Sequence, residues 1–186
     1  MRRTLAAVSA LGGLCLAAGP DLAQKFRQNS LAPFVPSPQV VVDKMLEAAG
    51  VKPGETVYDL GCGDGRILIT AARKFQARGV CVEISPDLVR QTVRHIRELG
   101  LQDQIQVIEG NLLEADLRGA DVVTLYLLTS SNERLKPKLE GSLRRGARVV
   151  SHDFIMPGWQ AWKVEKVQAS GRVHTIYVYR MPPQRR

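Results

Sequence analysis

The spacing of apolar positions along the chain predicts helices that alternate with strands. Val41, Met45, Leu46 and Ala49 recur at helical spacing and predict a first helix over residues 39–49. An apolar run at residues 56–60, rich in β-branched and aromatic residues, predicts a buried strand. The alternation continues with predicted helices at residues 66–75, 86–99 and 132–145 and predicted strands at residues 79–84, 104–109, 120–127 and 147–151.

The order of these elements predicts the fold class. Strands separated by helical segments of this length are typical of right-handed βαβ crossovers in a parallel sheet with helices on both faces. Residues 162–167 and 173–179 break the alternation, because residues 169–172 between them leave no room for a helix. We therefore predict a Rossmann-like α/β fold of class I methyltransferase type, with a mainly parallel seven-stranded sheet and a C-terminal antiparallel hairpin.

Length and charge set limits on the class of protein. The chain has 186 residues, of which 45% are apolar and 24% charged, as expected for one globular domain. It has 26 Lys and Arg residues against 18 Asp and Glu, a net charge of +8 that favours anionic neighbours such as nucleic acid or an acidic lipid surface. Part of this excess lies at the two chain ends, so it need not shape a folded surface.

The N-terminal segment is predicted to lie outside the folded domain. A basic head at residues 2–3 precedes an uncharged run at residues 4–19, which is typical of a secretory signal with cleavage before Gln24. The run is shorter than the ~20 residues that span a bilayer, so a permanent transmembrane helix is the weaker interpretation. We predict a signal peptide or anchor at residues 1–23, a linker at 24–37, the domain at 38–181 and a basic tail at 182–186.

A glycine-rich loop follows the first predicted strand in the segment VYDLGCGDGR. Its glycines stand at positions 61, 63 and 65, where the backbone must turn sharply and come close to a ligand. A dinucleotide site would have its third glycine at position 66 and would hold a pyrophosphate there, but position 66 is Arg. Asp59 and Asp64 instead suit the amino group and the sulfonium of S-adenosylmethionine.

Two further residues extend this predicted cofactor site. Glu83 ends the second strand, where a carboxylate can accept hydrogen bonds from both ribose hydroxyls. Asn111 follows the third strand, in reach of an adenine base. The predicted cofactor-binding residues are Asp59, Gly61, Cys62, Gly63, Asp64, Gly65, Glu83 and Asn111.

Cys62 and Cys81 are the cysteines that follow the leader. Two cysteines in a domain of this size are not a disulfide framework, so we expect both to be small buried residues beside the glycine-rich loop. No spacing of cysteine, histidine and acidic residues along the chain matches a metal site, and none is predicted.

The sequence resembles a small methyltransferase family that includes the mitochondrial lysine methyltransferases of the ATP synthase c-subunit and of the adenine nucleotide translocase. The similar segments are FVPSP, VYDLGCGDGRILITAA, CVEISPDLV, DVVTLYLL, LKPKLEGSLRRGARVVS and PGWQ. The resemblance implies an S-adenosylmethionine-dependent protein-lysine methyltransferase, with Pro36 and Pro38 at the substrate mouth. Residues 151–154 read Ser-His-Asp-Phe and depart from the Arg-Phe pair of the mitochondrial members.

Methyl transfer from a sulfonium is an in-line displacement, so the protein must mainly align the acceptor and strip its water. In open α/β sheets this chemistry takes place beyond the carboxyl ends of the strands. Tyr126, His152 and Asp153 follow the fourth and fifth strands and are our candidates for the catalytic residues. Each has a structural alternative: a core residue for Tyr126, a satisfied polar residue at a strand end for His152 and a backbone cap for Asp153.

Several classes of acceptor stay open. A protein lysine is favoured by the resemblance, and a small molecule or lipid is the alternative because a domain without insertions says little about its acceptor. Nucleic acid suits the net charge, but the sequence lacks the Asn/Asp-Pro-Pro-aromatic and Pro-Cys motifs of base methylation, and only 5% of its residues are aromatic. A non-catalytic cofactor-binding module is the fourth interpretation.

The predicted leader indicates where the enzyme would meet its substrate. S-adenosylmethionine is made in the cytoplasm, whereas the N-terminus resembles an export signal. An uncleaved leader would hold the domain at a membrane with its site on the cytoplasmic side, which would suit a membrane-embedded protein substrate. We expect the enzyme to be a monomer.

Overall fold

A computed structural model describes residues 31–185, so the predicted leader at residues 1–23 lies outside the described residues. Four helices occur in this part of the chain: α1 Gln39–Ala49, α2 Arg66–Phe75, α3 Pro86–Glu98 and α4 Thr129–Ser142. The first five strands are β1 Thr56–Leu60, β2 Arg78–Glu83, β3 Ile105–Glu109, β4 Val122–Leu125 and β5 Arg148–His152. The remaining strands are β6 Trp159–Gln160, β7 Lys163–Ala169, β8 Arg172–Arg180 and β9 Gln184–Arg185.

Seven of these strands form one mixed sheet, in the order β3-β2-β1-β4-β5-β8-β7. The first five strands are parallel, while β8 runs antiparallel to both β5 and β7. This arrangement confirms the predicted sheet and its C-terminal hairpin. The strand order reverses between β1 and β4, which is where ligands bind in open sheets of this kind.

The two faces of the sheet pack against different helices. Successive residues of one strand, such as Val122 and Val123 in β4, belong to two separate apolar clusters. The cluster on the first face includes side chains of α1, α2 and α3, and that on the second face includes Leu135 and Leu139 of α4. The prediction of helices on both faces is therefore confirmed.

Some predicted boundaries shift where local geometry decides them. Helix α4 covers residues 129–142 instead of 132–145, and β4 is shorter than predicted, so residues 126–128 leave the sheet at its carboxyl edge. The hairpin turn is tighter than predicted, since Ser170 and Gly171 both have positive φ and β7 pairs with β8 up to Ala169 and Arg172. Two residues with positive φ match the right-handed twist of a hairpin.

The segments predicted as linker and tail differ from those predictions. In residues 31–37, placed in the linker, Leu31 and Ser37 are buried, and the Ser131 hydroxyl donates to the Leu31 carbonyl. In the predicted tail, strand β9 pairs with β6, and Arg185 forms an ion pair with Glu140 at 3.1 Å. Hydrogen bonds and an ion pair with residues distant in sequence therefore hold both the predicted linker and the predicted tail against the domain. Within residues 31–185, no helix has the length and apolar character needed to cross a bilayer.

Candidate functional site

A cavity of about 470 Å³ lies at the carboxyl ends of the parallel strands. It is lined by residues 31–37, by the loop after β1, by the end of β2 and the start of α3, and by the residues after β3 and β4. Six of the predicted cofactor residues line it: Asp59, Gly61, Cys62, Asp64, Glu83 and Asn111. The cavity therefore brings together residues of β1, of the glycine-rich loop, of β2 and of the segment after β3.

Gly63 and Gly65 shape the loop from beside the cavity. Gly63 has φ of +56°, and a Cβ atom there would lie 2.2 Å from the ring of Phe34. Gly65 has φ of +77°, and its Cβ would meet Thr92 at 2.8 Å. Both positions combine a left-handed backbone with a close neighbour, which is why they require glycine.

Glu83 is buried and tied to the loop. One carboxylate oxygen accepts the Gly63 N–H at 3.0 Å, and the other accepts the Ser85 N–H at 2.8 Å. A carboxylate offers about four lone-pair sites, so both oxygens keep capacity for further donors. The geometry leaves Glu83 able to accept hydroxyl hydrogens while it holds the loop against β2.

Asp59 carries a buried carboxyl group with no ion-pair partner among residues 31–185. Its Oδ1 accepts a hydrogen bond from the Thr124 hydroxyl at 2.8 Å. Burial raises the pKa of Asp59 to about 7; the Thr124 hydrogen bond opposes this shift, while the charges of Glu83 and Asp64 add to it. A cation brought into the cavity would stabilise the ionised form.

Asp64 is paired with Arg66, whose Nε lies 2.9 and 3.0 Å from its two oxygens. Burial raises the pKa of Asp64, but the hydrogen bonds and charge of Arg66 outweigh it and the pKa is lowered overall. Arg66 also donates to the Ser37 carbonyl at 2.9 Å. This side chain therefore connects the glycine-rich loop to residues 31–37, a role that the sequence did not indicate.

Cys62 and Cys81 are buried beside the loop, as predicted, but they are joined by a disulfide, which was not predicted. Their Cα atoms lie 5.4 Å apart, because Cys62 lies two residues after the end of β1 and Cys81 lies on the neighbouring strand β2. This spacing is in the normal range for a disulfide. The bond links the cofactor loop to the sheet.

The three candidate catalytic residues differ in whether they line the cavity. Tyr126 lines the cavity, whereas His152 and Asp153 do not, contrary to their prediction as groups that face the acceptor. The His152 ring is fully buried and stacks on Tyr126, with ring centroids 3.8 Å apart. Asp153 binds Arg172 at 2.7 Å and the Thr175 N–H at 2.8 Å. Strand β5 extends through His152, which places both residues behind the wall that Tyr126 forms.

Of the two residues predicted at the substrate mouth, only one lines the cavity. Pro36 lines the cavity, whereas Pro38 precedes α1, where its carbonyl accepts the N–H groups of Val41 and Val42 at 2.9 and 3.1 Å. The structure adds Phe34 to the site, since its ring lies against Gly63. An aromatic residue in a proline-rich segment was the one available signal for it. Its contact depends on the path of the chain, which the local sequence does not reveal.

Comparison with known proteins assigns the chain to a family. Residues 59–163 match the model of the ANTKMT methyltransferase domain. A protein-lysine N-methyltransferase of Saccharolobus islandicus is 47% identical over 148 residues, which cover 79% of this chain and 92% of that protein. The chain belongs to the ANTKMT methyltransferase family. The adenine nucleotide translocase lysine N-methyltransferase of Mus musculus is 33% identical over 128 residues, 69% of this chain and 56% of the mouse protein.

A solved structure supports the same assignment. An RNA methyltransferase from Salinibacter ruber, in complex with S-adenosyl-L-homocysteine, has 47% sequence identity and a TM-score of 0.74, and the match covers 80% of this chain and 94% of that one. The ANTKMT-family chain is thus an S-adenosylmethionine-dependent methyltransferase with the class I fold. The cavity fits this cofactor, because the buried Asp59 carboxyl has no cationic partner among residues 31–185 and a Cβ at Gly63 would obstruct the loop.

Proposed function

We propose that the enzyme transfers the methyl group of S-adenosylmethionine to the side-chain amine of a lysine in a protein. The observation that carries this proposal is the 47% identity to the Saccharolobus islandicus protein-lysine N-methyltransferase, which extends over 92% of that protein. A match of this extent leaves little of the relative unmatched, so the acceptor-binding parts fall within the similar region. The mouse translocase lysine methyltransferase supports the same acceptor class.

The cofactor would be held by the residues that line the cavity. Asp59 would face the amino acid end of the cofactor, Glu83 the ribose hydroxyls and Asn111 the adenine. The Asn111 side chain already accepts the Leu113 N–H at 3.0 Å, which fixes its orientation. When bound, S-adenosylmethionine supplies the methyl group on a cationic sulfur, and the protein needs to supply position and a dry environment.

The lysine amine must be neutral to attack. With a reference pKa of about 10.4, holding it neutral at pH 7 costs roughly 4–5 kcal/mol. A cavity wall with apolar side chains such as Phe34 and Leu127 disfavours the charged amine, and the cofactor's own positive charge acts in the same direction. Deprotonation therefore does not require a strong general base.

Tyr126 is the candidate that we place beside the acceptor. Its ring is stacked on His152, and its hydroxyl accepts a hydrogen bond from Arg172 at 3.3 Å. Arg172 is in turn paired with Asp153. We propose that Tyr126 orients the amine, and that His152 and Asp153 are positioning residues that act through it.

The predicted leader adds a cellular setting. We propose that residues 1–23 remain attached and hold a monomeric enzyme at a membrane, with the site on the cytoplasmic side and a membrane-embedded protein as substrate. This proposal depends on the sequence of the leader alone. Recovery of the protein from an exported fraction with Gln24 at its N-terminus would contradict it.

RNA is the second candidate acceptor, because the Salinibacter ruber protein of 47% identity is described as an RNA methyltransferase. The net charge of +8 is compatible with RNA. Against it stand the low aromatic content and the absence of base-methylation motifs from the sequence. The two candidates share the cofactor site and differ only in the acceptor.

One experiment distinguishes these acceptors. The enzyme is incubated with methyl-labelled S-adenosylmethionine and fractionated extract of the source cells, and the label is sorted among protein, RNA, lipid and small molecules. Glu83→Ala should abolish labelling. Glu109→Ala is the matched control, because Glu109 is an exposed carboxylate in register with Glu83 on the neighbouring strand.

Methyl-lysine in hydrolysed protein, absent with Glu83→Ala and retained with Glu109→Ala, would support the proposal. Label in RNA or lipid would refute the lysine acceptor and leave the cofactor site intact. Equal labelling by both variants would refute the role given to Glu83.

A further inference from the structure

Three side chains behind Tyr126 bring their ligand atoms close together. They are His152, Asp153 and His174, and the ligand atoms are His152 Nε2, Asp153 Oδ2 and His174 Nδ1. The two histidines are fully or almost fully buried. His152 and Asp153 end β5, and His174 comes from β8, which the antiparallel pairing of His152 with Ile176 brings alongside. The group is thus assembled by the sheet from residues 22 positions apart.

From this geometry we propose that His152, Asp153 and His174 form a binding site for a divalent transition-metal ion. The three ligand atoms are separated by 2.8 Å between the two nitrogens, and by 3.2 and 3.3 Å from the carboxylate oxygen to each nitrogen. An ion held at about 2.0–2.1 Å by such ligands, with angles of about 90–110°, requires separations of about 2.9–3.4 Å. The site needs almost no rearrangement to accept the ion.

The chemistry of the donors agrees with this class of ion. Two imidazoles and one carboxylate bind zinc and other first-row divalent ions, and three protein ligands leave at least one coordination position open. At most one hydrogen fits between the two ring nitrogens, which lie 2.8 Å apart, whereas one cation contacts all three ligand atoms together.

The surrounding groups hold the donors in place. The Ser37 hydroxyl lies 2.9 Å from His152 Nδ1, and a hydrogen on that nitrogen leaves Nε2 free for the ion. Asp153 Oδ1 accepts the Thr175 N–H at 2.8 Å. Outer hydrogen bonds of this kind orient metal-binding histidines and carboxylates. His174 Nε2 has no hydrogen-bond partner among the described residues, so the hydrogen that it carries when Nδ1 binds the ion lacks such an outer acceptor.

One feature opposes the ion. Arg172 donates to the same carboxylate oxygen, Asp153 Oδ2, at 2.7 Å. Its side chain is 51% exposed, so its charge is screened by solvent and the side chain is free to move outward. We therefore expect Arg172 to weaken the binding of the ion without preventing it, and its neutral replacement to strengthen binding.

The predicted absence of a metal site depended on the spacing of ligand residues along the chain. The pairing of β5 with β8 brings together residues that are far apart in the sequence, so spacing alone does not reveal them. An ion here would lie one side chain behind the cavity, since Ser37 and Tyr126 both line it. It would hold the His152 ring on which Tyr126 stacks. The assigned role is therefore that of a positioning site, separate from the cofactor.

The test uses the full chain without a histidine tag, stripped with a chelator and titrated with Zn²⁺ by calorimetry and with Co²⁺ by visible absorption. His174→Gln and Asp153→Asn each remove one ligand, and asparagine suits the positive φ of 60° at position 153. His95→Gln is the matched control, because His95 is the remaining histidine of the chain and lies exposed on α3. Arg172→Gln tests the competing charge.

We expect one equivalent of each ion to bind the wild-type chain. His174→Gln and Asp153→Asn should each weaken binding by more than about tenfold, since even an outer-shell partner contributes about 10- to 100-fold. His95→Gln should bind as the wild type does, and Arg172→Gln should bind more tightly. Absence of stoichiometric binding, or equal affinity in a folded His174→Gln or Asp153→Asn chain, would overturn the proposal. Neither cofactor nor acceptor is present, so the outcome does not depend on the proposed function.

Discussion

Asp59 provides the sharpest test of how the cavity recognises its cofactor. With a pKa of about 7, its carboxyl is about nine-tenths ionised at pH 8 and about one-tenth ionised at pH 6. The amino group and sulfonium of S-adenosylmethionine favour the ionised form, so binding must release the proton. If the pKa in the complex lies well below 6, affinity should fall about tenfold from pH 8 to pH 6.

The assay is calorimetry at both pH values, in two buffers that differ in ionisation enthalpy, so that released protons can be counted. We expect nearly one proton released per cofactor at pH 6 and about a tenth of a proton at pH 8. Asp59→Asn keeps an oxygen that can accept the Thr124 hydrogen bond. The amino group of the cofactor titrates in the same way in the experiments with either chain. The difference between variant and wild type therefore isolates the carboxyl.

The same substitution should act on stability with the opposite sign. The pKa of Asp59 is raised from 3.8 to about 7 in the folded protein, so the folded state binds more protons than the unfolded state between these values. The unfolding free energy of the cofactor-free protein should then fall as pH rises from about 4 to about 7, by up to about 4 kcal/mol. This is an upper limit, because the carboxyl faces a cavity. Asp59→Asn should be the more stable chain at pH 8.

Asp103→Asn controls for the loss of a carboxylate at an exposed position. It should change neither the cofactor affinity nor its pH dependence. Superimposable pH profiles for the wild type and Asp59→Asn, or no proton release at pH 6, would refute the reasoning. So would an Asp59→Asn chain that binds the cofactor as tightly as the wild type at pH 8.

Three further predictions test the loop, the disulfide and the cavity wall. Gly63→Ala should lower the unfolding free energy, measured by denaturant titration, by about 1–3 kcal/mol, because its Cβ would collide with Phe34 at a positive φ. An unchanged unfolding free energy would contradict the close approach. Reduction of the Cys62–Cys81 disulfide, with a sequence separation of 19, should lower the unfolding free energy in denaturant titrations by about 3 kcal/mol, and Cys81→Ala should not respond to the reductant. Tyr126→Phe keeps the ring stacked on its neighbour, so cofactor affinity should stay unchanged while kcat/KM for the acceptor falls by up to about tenfold, the effect of one hydrogen bond; a fall in cofactor affinity alone would contradict its placement.

Most of the fold could be predicted because its signals are local. The helix over residues 39–49 and the strand over residues 56–60 have the predicted bounds, since apolar periodicity and the flanking turn residues decide them. The position of the glycine-rich loop, Asp59 and Glu83 could be predicted from the rule that ligands bind at the carboxyl ends of parallel strands. Both carboxylates line the cavity where the sequence placed them.

What could not be predicted depends on contacts between distant segments. Residues 31–37 have the composition of a linker, yet they form one wall of the cavity, held by Arg66 and Ser131. His174 lies in an alternating strand like any other, and only the register of β8 against β5 brings it to His152. A single sequence carries no signal for such register, so the cluster behind Tyr126 was not seen.

The charges in the cavity explain its choice of cofactor more directly than the glycines do. Of its three carboxylates, Asp64 is neutralised by Arg66 and Glu83 accepts two backbone N–H groups. Asp59 alone has neither a cation nor a backbone donor among residues 31–185, and its hydrogen bond comes from the hydroxyl of Thr124. Burial raises the pKa of the Asp59 carboxyl to about 7, so a pyrophosphate would add negative charge beside a group that already resists ionisation. A cationic ligand instead supplies the positive charge that Asp59 lacks. A buried acid that lacks a counter-charge therefore favours a positively charged nucleoside over an anionic one.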